Sequence, residues 1–198
     1  MLVYFITHPD VVVDPAVPVP RWRLSPLGLE RMARIVRQDW VQYLGRIYCS
    51  EEQKAIDAAE VLARVCRAPV LRLAGLGEND RSATGYLPKN EFEAMANEFF
   101  RRPGESVQGW ETATAAQSRI VGAARQAVAD AGRSASIAIV SHGAVGGLLM
   151  CHLKRVPISR DEDQPAGSGG NYFRFEMPAE RLLQNWLPID PPSTGGPS

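Results

Sequence analysis

The chain has 198 residues, of which 45% are hydrophobic and 22% are charged. This composition is typical of one folded domain with a substantial core, and it excludes an intrinsically disordered chain. The 22 basic residues are balanced by 22 acidic residues, so the formal net charge at pH 7 is zero. We therefore expect no general electrostatic binding of nucleic acid or of an anionic membrane surface.

Cysteine and histidine usage argues against a disulfide scaffold and against a metal centre. Cys49, Cys66 and Cys151 form no CxxC pair, and the three histidines are scattered without a paired-carboxylate motif. The sequence thus predicts no metal site and no cofactor. No apolar run is long enough for a membrane span, and the apolar residues 1–7 are too short for a secretory signal. We expect a reduced, cytoplasmic protein.

The chain opens with a predicted strand, a loop and a helix. Residues 2–6 form a continuous apolar run, typical of a strand buried on both faces. Residues 10–20 contain three prolines and predict an extended loop. Ser25 and Pro26 suit the N-cap and first turn of a helix that ends at Gly45. The apolar stripe of this helix is predicted to contain Leu29, Met32, Ala33, Val36 and Trp40.

Strands and helices alternate along the rest of the chain, which predicts an α/β fold: a three-layer sandwich with a mostly parallel central sheet flanked by helices. We expect one domain over residues 1–187 and a disordered tail over the Pro- and Gly-rich residues 188–198. The further predicted strands are residues 46–50, 70–73 and 136–140, with an edge strand at 171–175. The predicted helices are residues 51–66, 91–100, 107–131 and 144–153.

Two of the three histidines come just after predicted strands. His8 follows the first strand, and His142 follows the strand at residues 136–140. Because open α/β sheets bind ligands beyond the carboxyl ends of their strands, we expect the two imidazoles to converge on one cleft. One imidazole could attack an electrophile while the other stabilises developing negative charge. A structural hydrogen-bonding role is the alternative for either histidine alone, and it is our prediction for His152.

A set of short motifs, present in order over residues 2–147, resembles that of the histidine phosphatase superfamily, which includes the cofactor-dependent phosphoglycerate mutases. Each motif alone is weak, but the ordered set predicts the fold of that family. Thr7-His8-Pro9 stands in place of the family's Arg-His-Gly, and residues 24–28 resemble its Leu-Thr-x-x-Gly helix start. Residues 49–59 loosely match its Ser-Ser-Pro-x-x-Arg-Ala-x-x-Thr-Ala segment, and Leu76-Gly77-Glu78 matches its Leu-x-Glu. Gly104-Glu105-Ser106 matches a Gly-Glu-Ser turn, and Val140-Ser141-His142-Gly143 matches Val-Ser-His-Gly.

The resemblance implies a phosphoenzyme mechanism. His8 would attack phosphorus in line, and water would then release phosphate. Glu78 would act as general acid for the leaving oxygen and then as base for the water. His142 would donate to a phosphoryl oxygen, with the backbone of Gly143 close by. Without the resemblance, Glu78 would be interpreted as a solvated loop carboxylate.

The chain departs from the family where the phosphoryl group is clamped. Thr7 and Lys54 replace two arginines, so the planar fork that grips two oxygens is lost at both places. A hydrogen bond to a charged group contributes about 1.5–3 kcal/mol, so the loss weakens the phosphate site. We still expect Thr7 and Lys54 to contact the phosphoryl group, and Arg21, Arg23 or Arg81 to supply a replacement cation. A surface ion pair is the alternative for each arginine.

The predicted function is a phosphomonoester hydrolase that acts through a phosphohistidine on a small phosphorylated molecule or a phosphoprotein. The alternative is a catalytically impaired phospholigand-binding protein on the same fold, which Thr7 and Pro9 favour. Retention of His8, His142 and Glu78 favours the hydrolase. A mutase is disfavoured because it must hold its monophosphate product for return transfer. The expected partner is a small phosphorylated substrate or phosphate, with no nucleic acid and no membrane, and both a monomer and a homodimer remain open.

Overall fold

The computed structural model describes residues 1–132, 134, 136–165, 167 and 169–190, and within them six strands form one sheet. The strands are β1 (Leu2–Thr7), β2 (Arg46–Cys49), β3 (Val70–Arg72), β4 (Ser136–Ser141), β5 (Asn171–Glu176) and β6 (Arg181–Pro188). The α-helices are α1 (Pro26–Ala33), α2 (Gln53–Cys66), α3 (Lys89–Arg101), α4 (Ala113–Ala131) and α5 (Gly143–Lys154). None of these helices is long and apolar enough to cross a membrane.

The strand order is β3-β2-β4-β1-β5-β6. The first four strands are parallel, whereas β5 and β6 are antiparallel to their neighbours. This confirms the predicted mostly parallel sheet. In the β1–β4 ladder Thr7 lies opposite Ser141, so the two chains leave the sheet at the same level. The residues that follow these strands are therefore brought together by the register of the central pair.

Helices cover both faces of the sheet, as a three-layer sandwich requires. Because side chains alternate along a strand, Val3 and Phe5 of β1 face α3, α4 and α5, whereas Tyr4 and Ile6 face α1 and α2. These four side chains are at most 4% exposed. The sheet is thus buried on both sides, which explains why β1 and β4 are nearly continuous apolar runs.

The predicted first helix is wrong in length and in part of its buried face, although Met32 is buried as predicted. α1 ends at Ala33, and 3-10 turns at Arg34–Arg37 and Val41–Tyr43 follow it. Leu29 and Val36 were expected on the apolar stripe but are 44% and 56% exposed. The buried residues are Gly28, Met32 and Ile35, which also share helical spacing. Gly28 sets this face because its missing side chain lets the helix approach the backbone of Asp10.

Two further boundaries differ from the sequence prediction. The helix expected at residues 107–131 begins at Ala113, because Thr112 caps it by accepting a hydrogen bond from Ala115 N at 3.1 Å. The strand expected at 171–175 is not an edge, because β1 and β6 pair with its two sides. It therefore cannot offer a free edge to a second copy.

The folded part of the chain continues beyond residue 187. Ile189 is fully buried and donates its N–H to Gly170 O at 3.0 Å, and Asp190 forms an ion pair with Arg31. The first residues of the predicted tail are thus held against the domain. Residues 191–198 lie outside the described residues.

Candidate active site

His8 and His142 meet at the carboxyl ends of β1 and β4. Their ring centroids are 5.2 Å apart, with an interplanar angle of 72°. His8 N donates to Ser141 O at 3.2 Å, which ties the start of one loop to the end of the neighbouring strand. The expected convergence of the two imidazoles is therefore a direct consequence of the parallel pairing of β1 with β4.

The His8 ring is held in one tautomer. Its Nδ1 lies 2.9 Å from Pro9 O, and because a carbonyl oxygen only accepts, Nδ1 carries the proton. Nε2 is then the unprotonated nitrogen. Burial, together with the positive charge of Lys54, lowers the pKa of His8 to about 4. The imidazole is thus neutral at pH 7, the form required of a nucleophile.

His142 is fully buried and contacts two residues that follow β2. Its Nε2 lies 2.8 Å from Ser50 Oγ and 3.2 Å from Glu52 Oε1. Its Nδ1 has no hydrogen-bond partner within the described chain. Burial lowers the pKa of His142 well below its usual value, against the opposing effect of Glu52. The ring is therefore neutral in the unliganded protein.

Glu52 is a functional candidate that the sequence analysis missed. Besides contacting His142, its Oε1 accepts from Glu78 N at 2.8 Å, and its Oε2 forms an ion pair with Lys54. Burial by itself would raise the pKa of Glu52, but His142 and Lys54 lower it to about 2. The carboxylate is thus ionised at the centre of the site. Its place just beyond β2 was a signal available from the sequence.

Lys54 points into the site, but its ammonium group already has two partners. The side chain is 4% exposed, and its Nζ donates to Val19 O at 3.1 Å as well as binding Glu52. The position thus keeps its positive charge inside the cavity, but the charge is largely neutralised by the neighbouring carboxylate.

Glu78 lies against the first turn of α5. Its Oε1 accepts from Asn79 N at 3.1 Å and Val145 N at 3.2 Å, and its Oε2 accepts from Ala144 N at 3.3 Å. Burial raises its pKa more than Arg81 lowers it. The carboxyl group is thus fixed in orientation, and its protonated form is favoured relative to a solvated glutamate.

Thr7 and Arg21 are not brought into the cavity. Thr7 is 1% exposed; its Oγ1 donates to Gln164 Oε1 at 2.7 Å and accepts from Asn171 N at 3.0 Å. Its hydroxyl hydrogen is therefore used to hold β1 against the loop before β5. Arg21 is exposed and is not among the described residues that line the cavity. The expectation that these two side chains contact a phosphoryl group is not supported by their positions.

Arg81 does line the cavity, together with His8, Lys54, Glu78 and Gly143. Its guanidinium lies 4.8 Å from the centre of the Phe92 ring. The cavity has a volume of about 490 Å³. Of the three arginines predicted as a replacement cation, Arg81 lines this cavity, whereas Arg23 pairs with Asp57.

Comparison with known families shows which superfamily the chain belongs to. The family model of the histidine phosphatase superfamily (branch 1) matches residues 20–169, which is more than half of the chain. The chain belongs to the histidine phosphatase superfamily. The match begins after His8, so it does not cover the divergent Thr7-His8-Pro9 motif. No curated protein matches the chain.

Solved structures of other histidine phosphatase folds superimpose on almost the whole chain. YhfR of Bacillus stearothermophilus matches with a TM-score of 0.75 and 20% identity, covering 92% of this chain and 94% of that one. Mycobacterial glucosyl-3-phosphoglycerate phosphatase with inorganic phosphate gives 0.72 and 16%, covering 94% of each chain. The alpha-ribazole phosphatase of Shigella flexneri gives 0.65 and 17%, covering 94% and 96%. At these identities the likeness shows the shared fold.

In this histidine phosphatase fold, Gly143 allows the loop before β5 to pack against the start of α5 and to form one wall of the cavity. A Cβ atom at Gly143 would overlap the amide nitrogen of Gln164. Gln164 in turn binds Thr7 and Asn171, so the loop before β5 packs directly on the start of α5. Arg160 pairs with Glu93 and so joins the same loop to α3.

Proposed function

We propose that the protein is a phosphomonoester hydrolase that works through a phosphohistidine at His8. The observation that carries the proposal is the state of that ring: neutral, with Nδ1–H bound to Pro9 O and Nε2 left as the free nitrogen, beside His142 at the end of the adjoining strand. An imidazole fixed in this way is prepared for nucleophilic attack.

In the first step, His8 Nε2 attacks phosphorus and the bond to the leaving oxygen breaks. Glu78, whose raised pKa favours the protonated form, gives its proton to that oxygen. In the second step, water attacks phosphorus and Glu78 takes up its proton. The P–N bond breaks, its electron pair returns to His8, and phosphate leaves. Arg81 supplies positive charge to the phosphoryl oxygens throughout.

A second candidate is a catalytically impaired protein that binds a phospholigand. One observation favours it: Glu52 already occupies His142 and Lys54, the two groups expected to hold a phosphoryl group. The two groups that would stabilise phosphoryl transfer are then engaged by Glu52, while Arg81 still lines the cavity and could bind an anion. The hydrolase is the better-supported candidate because it accounts for the tautomer of His8 and for the position of Glu78 in one mechanism.

The deciding experiment is to trap the intermediate. The protein is mixed with p-nitrophenyl phosphate and quenched, and the adduct is tested for the acid-labile, base-stable behaviour of phosphohistidine. His8→Ala should abolish the adduct and the release of nitrophenol. His152→Ala is the matched control, because His152 lies away from the cavity and pairs with Glu180, and it should retain both. Tight binding of vanadate with neither adduct nor release would establish the second candidate instead.

A further inference from the structure

An apolar cleft adjoins the cavity that contains His8. It consists of two further cavities of about 660 Å³ and 350 Å³. Val19 and Arg81 line both of them and also the cavity of His8, so the three spaces adjoin one another. A substrate at His8 therefore has an adjoining space into which its non-reacting part can extend.

The walls of this cleft are mostly apolar. One side is the proline-rich segment 15–20, and the other side carries Tyr86. Trp22 and Phe92 line the smaller cavity. At the rim, Val13 is 55% exposed and Tyr86 is 38% exposed. Large apolar side chains exposed together beside a cavity are typical of a surface that binds an apolar ligand.

The proline-rich wall is fixed before any ligand arrives. Trp22 Nε1 donates to Asp14 O at 2.9 Å and to Val17 O at 3.0 Å, and Lys54 Nζ donates to Val19 O at 3.1 Å. The prolines add backbone restriction of their own. Lys54, at the position where the family carries a phosphate-clamping arginine, thus serves here to anchor the wall. Such preorganisation lowers the entropic cost of binding.

The charges beside the larger cavity offer no net attraction to a second anionic group on the substrate. The ionised carboxylates of Glu52 and Asp80 are offset by Arg81 and by Lys54, which pairs with Glu52, and Glu78 enters the reaction protonated. A leaving group with its own carboxylate or phosphate would lose hydration there with no net positive charge to compensate, whereas an uncharged apolar group would gain by leaving water.

We infer that this cleft is a leaving-group subsite and that the substrates are phosphate monoesters of apolar alcohols, alkyl or aryl. The inference rests on the proposed function, because it assigns the leaving oxygen to Glu78. Glu78 lines both the cavity of His8 and the larger apolar cavity, so an alcohol protonated by Glu78 is already at the entrance of the subsite.

The test is a series of linear alkyl phosphates from ethyl to hexyl, whose leaving groups have nearly the same acidity. Each methylene that enters the cleft should raise kcat/KM about threefold, or on the order of 100-fold over four methylenes. 3-Phosphoglycerate should be a poorer substrate than hexyl phosphate. A flat dependence on chain length with measurable turnover would overturn the subsite and leave the hydrolase intact.

Tyr86→Ser probes the wall directly, and its matched control is Tyr43→Ser, at a tyrosine that is 68% exposed and outside the cleft. Tyr86→Ser should lower the hexyl-to-ethyl ratio of kcat/KM about tenfold, and Tyr43→Ser should keep it. An equal ratio in the two variants would count against the subsite. Because Tyr86 is a surface side chain, loss of folding is not an expected consequence of its replacement.

Binding of alkylphosphonates, which cannot be hydrolysed, separates this inference from the proposed function. Calorimetry should give a lower Kd for hexylphosphonate than for ethylphosphonate, again by about threefold per methylene. If no alkyl phosphate is hydrolysed but this trend holds, the hydrolase is overturned and the subsite stands. If alkyl phosphates are hydrolysed and the trend is absent, the subsite is overturned and the hydrolase stands.

Discussion

Glu52 gives this site its unusual electrostatics. The carboxylate contacts His142, Lys54 and the N–H of Glu78, so one side chain links three groups of the proposed mechanism. With its pKa lowered to about 2 by His142 and Lys54, against the effect of burial, it stays charged throughout the ordinary pH range. In the unliganded protein it takes the hydrogen bonds that a phosphoryl oxygen would need. The Glu52 carboxylate therefore competes with a phosphoryl group for the same hydrogen-bond partners.

Replacing Glu52 with glutamine should tighten the binding of inorganic phosphate. Glu52→Gln keeps the size and an oxygen acceptor for Glu78 N, but removes a charge whose repulsion of a nearby anion is worth roughly 1–4 kcal/mol at surface-like dielectric. We expect the Kd of phosphate to fall about tenfold in calorimetry. Glu51→Gln, at the exposed neighbouring glutamate, is the control and should leave the Kd unchanged. Weaker binding by Glu52→Gln would show that the carboxylate organises the site instead.

Glu78→Gln should separate substrates by their leaving group. A glutamine cannot donate the carboxyl proton, and general acid catalysis contributes roughly 10²–10⁴-fold where the leaving alcohol is a strong base. In single-turnover experiments, alcohol release from hexyl phosphate should slow at least 100-fold, and nitrophenol release from p-nitrophenyl phosphate less than tenfold. Glu91→Gln, at an exposed glutamate of α3, should leave both rates unchanged. An equal loss for both substrates would remove Glu78 from the role of acid.

The sequence could place a single residue at the site only where that residue directly follows a predicted strand. His8 and His142 follow the strands, so the parallel pairing alone brings them together. The hydrogen bonds of Thr7 and Lys54 could not be predicted, because their partners Gln164 and Val19 lie far away in the chain. Hydrogen-bond competition of this kind is a property of the folded loops and not of a local pattern.

At the scale of elements, periodicity predicted most strands and helices but failed where packing decides the face. The chain after Ser25 offers two apolar spacings that share Met32, and the approach of Gly28 to Asp10 selects the one that continues to Ile35. β6 was missed altogether. It is a partly exposed edge strand whose side chains do not alternate clearly between apolar and polar, and its formation depends on pairing with β5.

Gly28→Ala tests that packing. A Cβ atom at Gly28 would overlap the carbonyl oxygen of Asp10, which also accepts from Ser25 N at 2.9 Å, so helix or loop must move. We expect a loss of about 1–3 kcal/mol in the free energy of unfolding, measured by urea denaturation. Gly122→Ala is the matched control: this exposed α4 glycine has open space around it, so the helix should gain about 0.5–1 kcal/mol. A stable Gly28→Ala variant would contradict the close packing of α1.

At the scale of the whole molecule, Arg31 and the last described part of the chain, residues 169–190, support the His8 loop. Gly170 N donates to His8 O at 3.1 Å, and Ile189 N donates to Gly170 O at 3.0 Å. Arg31 binds Asp10, Gly169 O and Asp190, so it joins the loop after β1 to the end of the described chain. The geometry of the nucleophile is thus maintained by contacts between residues at least 138 positions apart, which no local pattern could predict.

Burial of the histidines should make the stability of the whole protein depend on pH. The pKa of His8 falls from 6.5 to about 4 on folding, mainly through burial, and that of His142 is also lowered. Between these limits the unfolded chain binds more protons than the native state, so the free energy of unfolding should fall as the pH decreases from about 6.5 to 4. For His8 alone the loss is on the order of 2–3 kcal/mol. Glu78, whose pKa is raised by burial, acts in the opposite direction, because its contribution is lost as the pH rises through its folded pKa.

Urea denaturation of the wild type and of His8→Asn at several pH values between 7.5 and 4 measures this dependence. Asparagine can still donate to Pro9 O but does not titrate, so the variant should lose less stability than the wild type over this range. The m-values should stay the same, which shows that the comparison concerns proton binding and not a change in the unfolded state. Parallel curves for the two proteins would mean that His8 is protonated as readily in the folded chain as in the unfolded one. The lowered pKa that keeps the His8 imidazole neutral below pH 6.5 would then be ruled out.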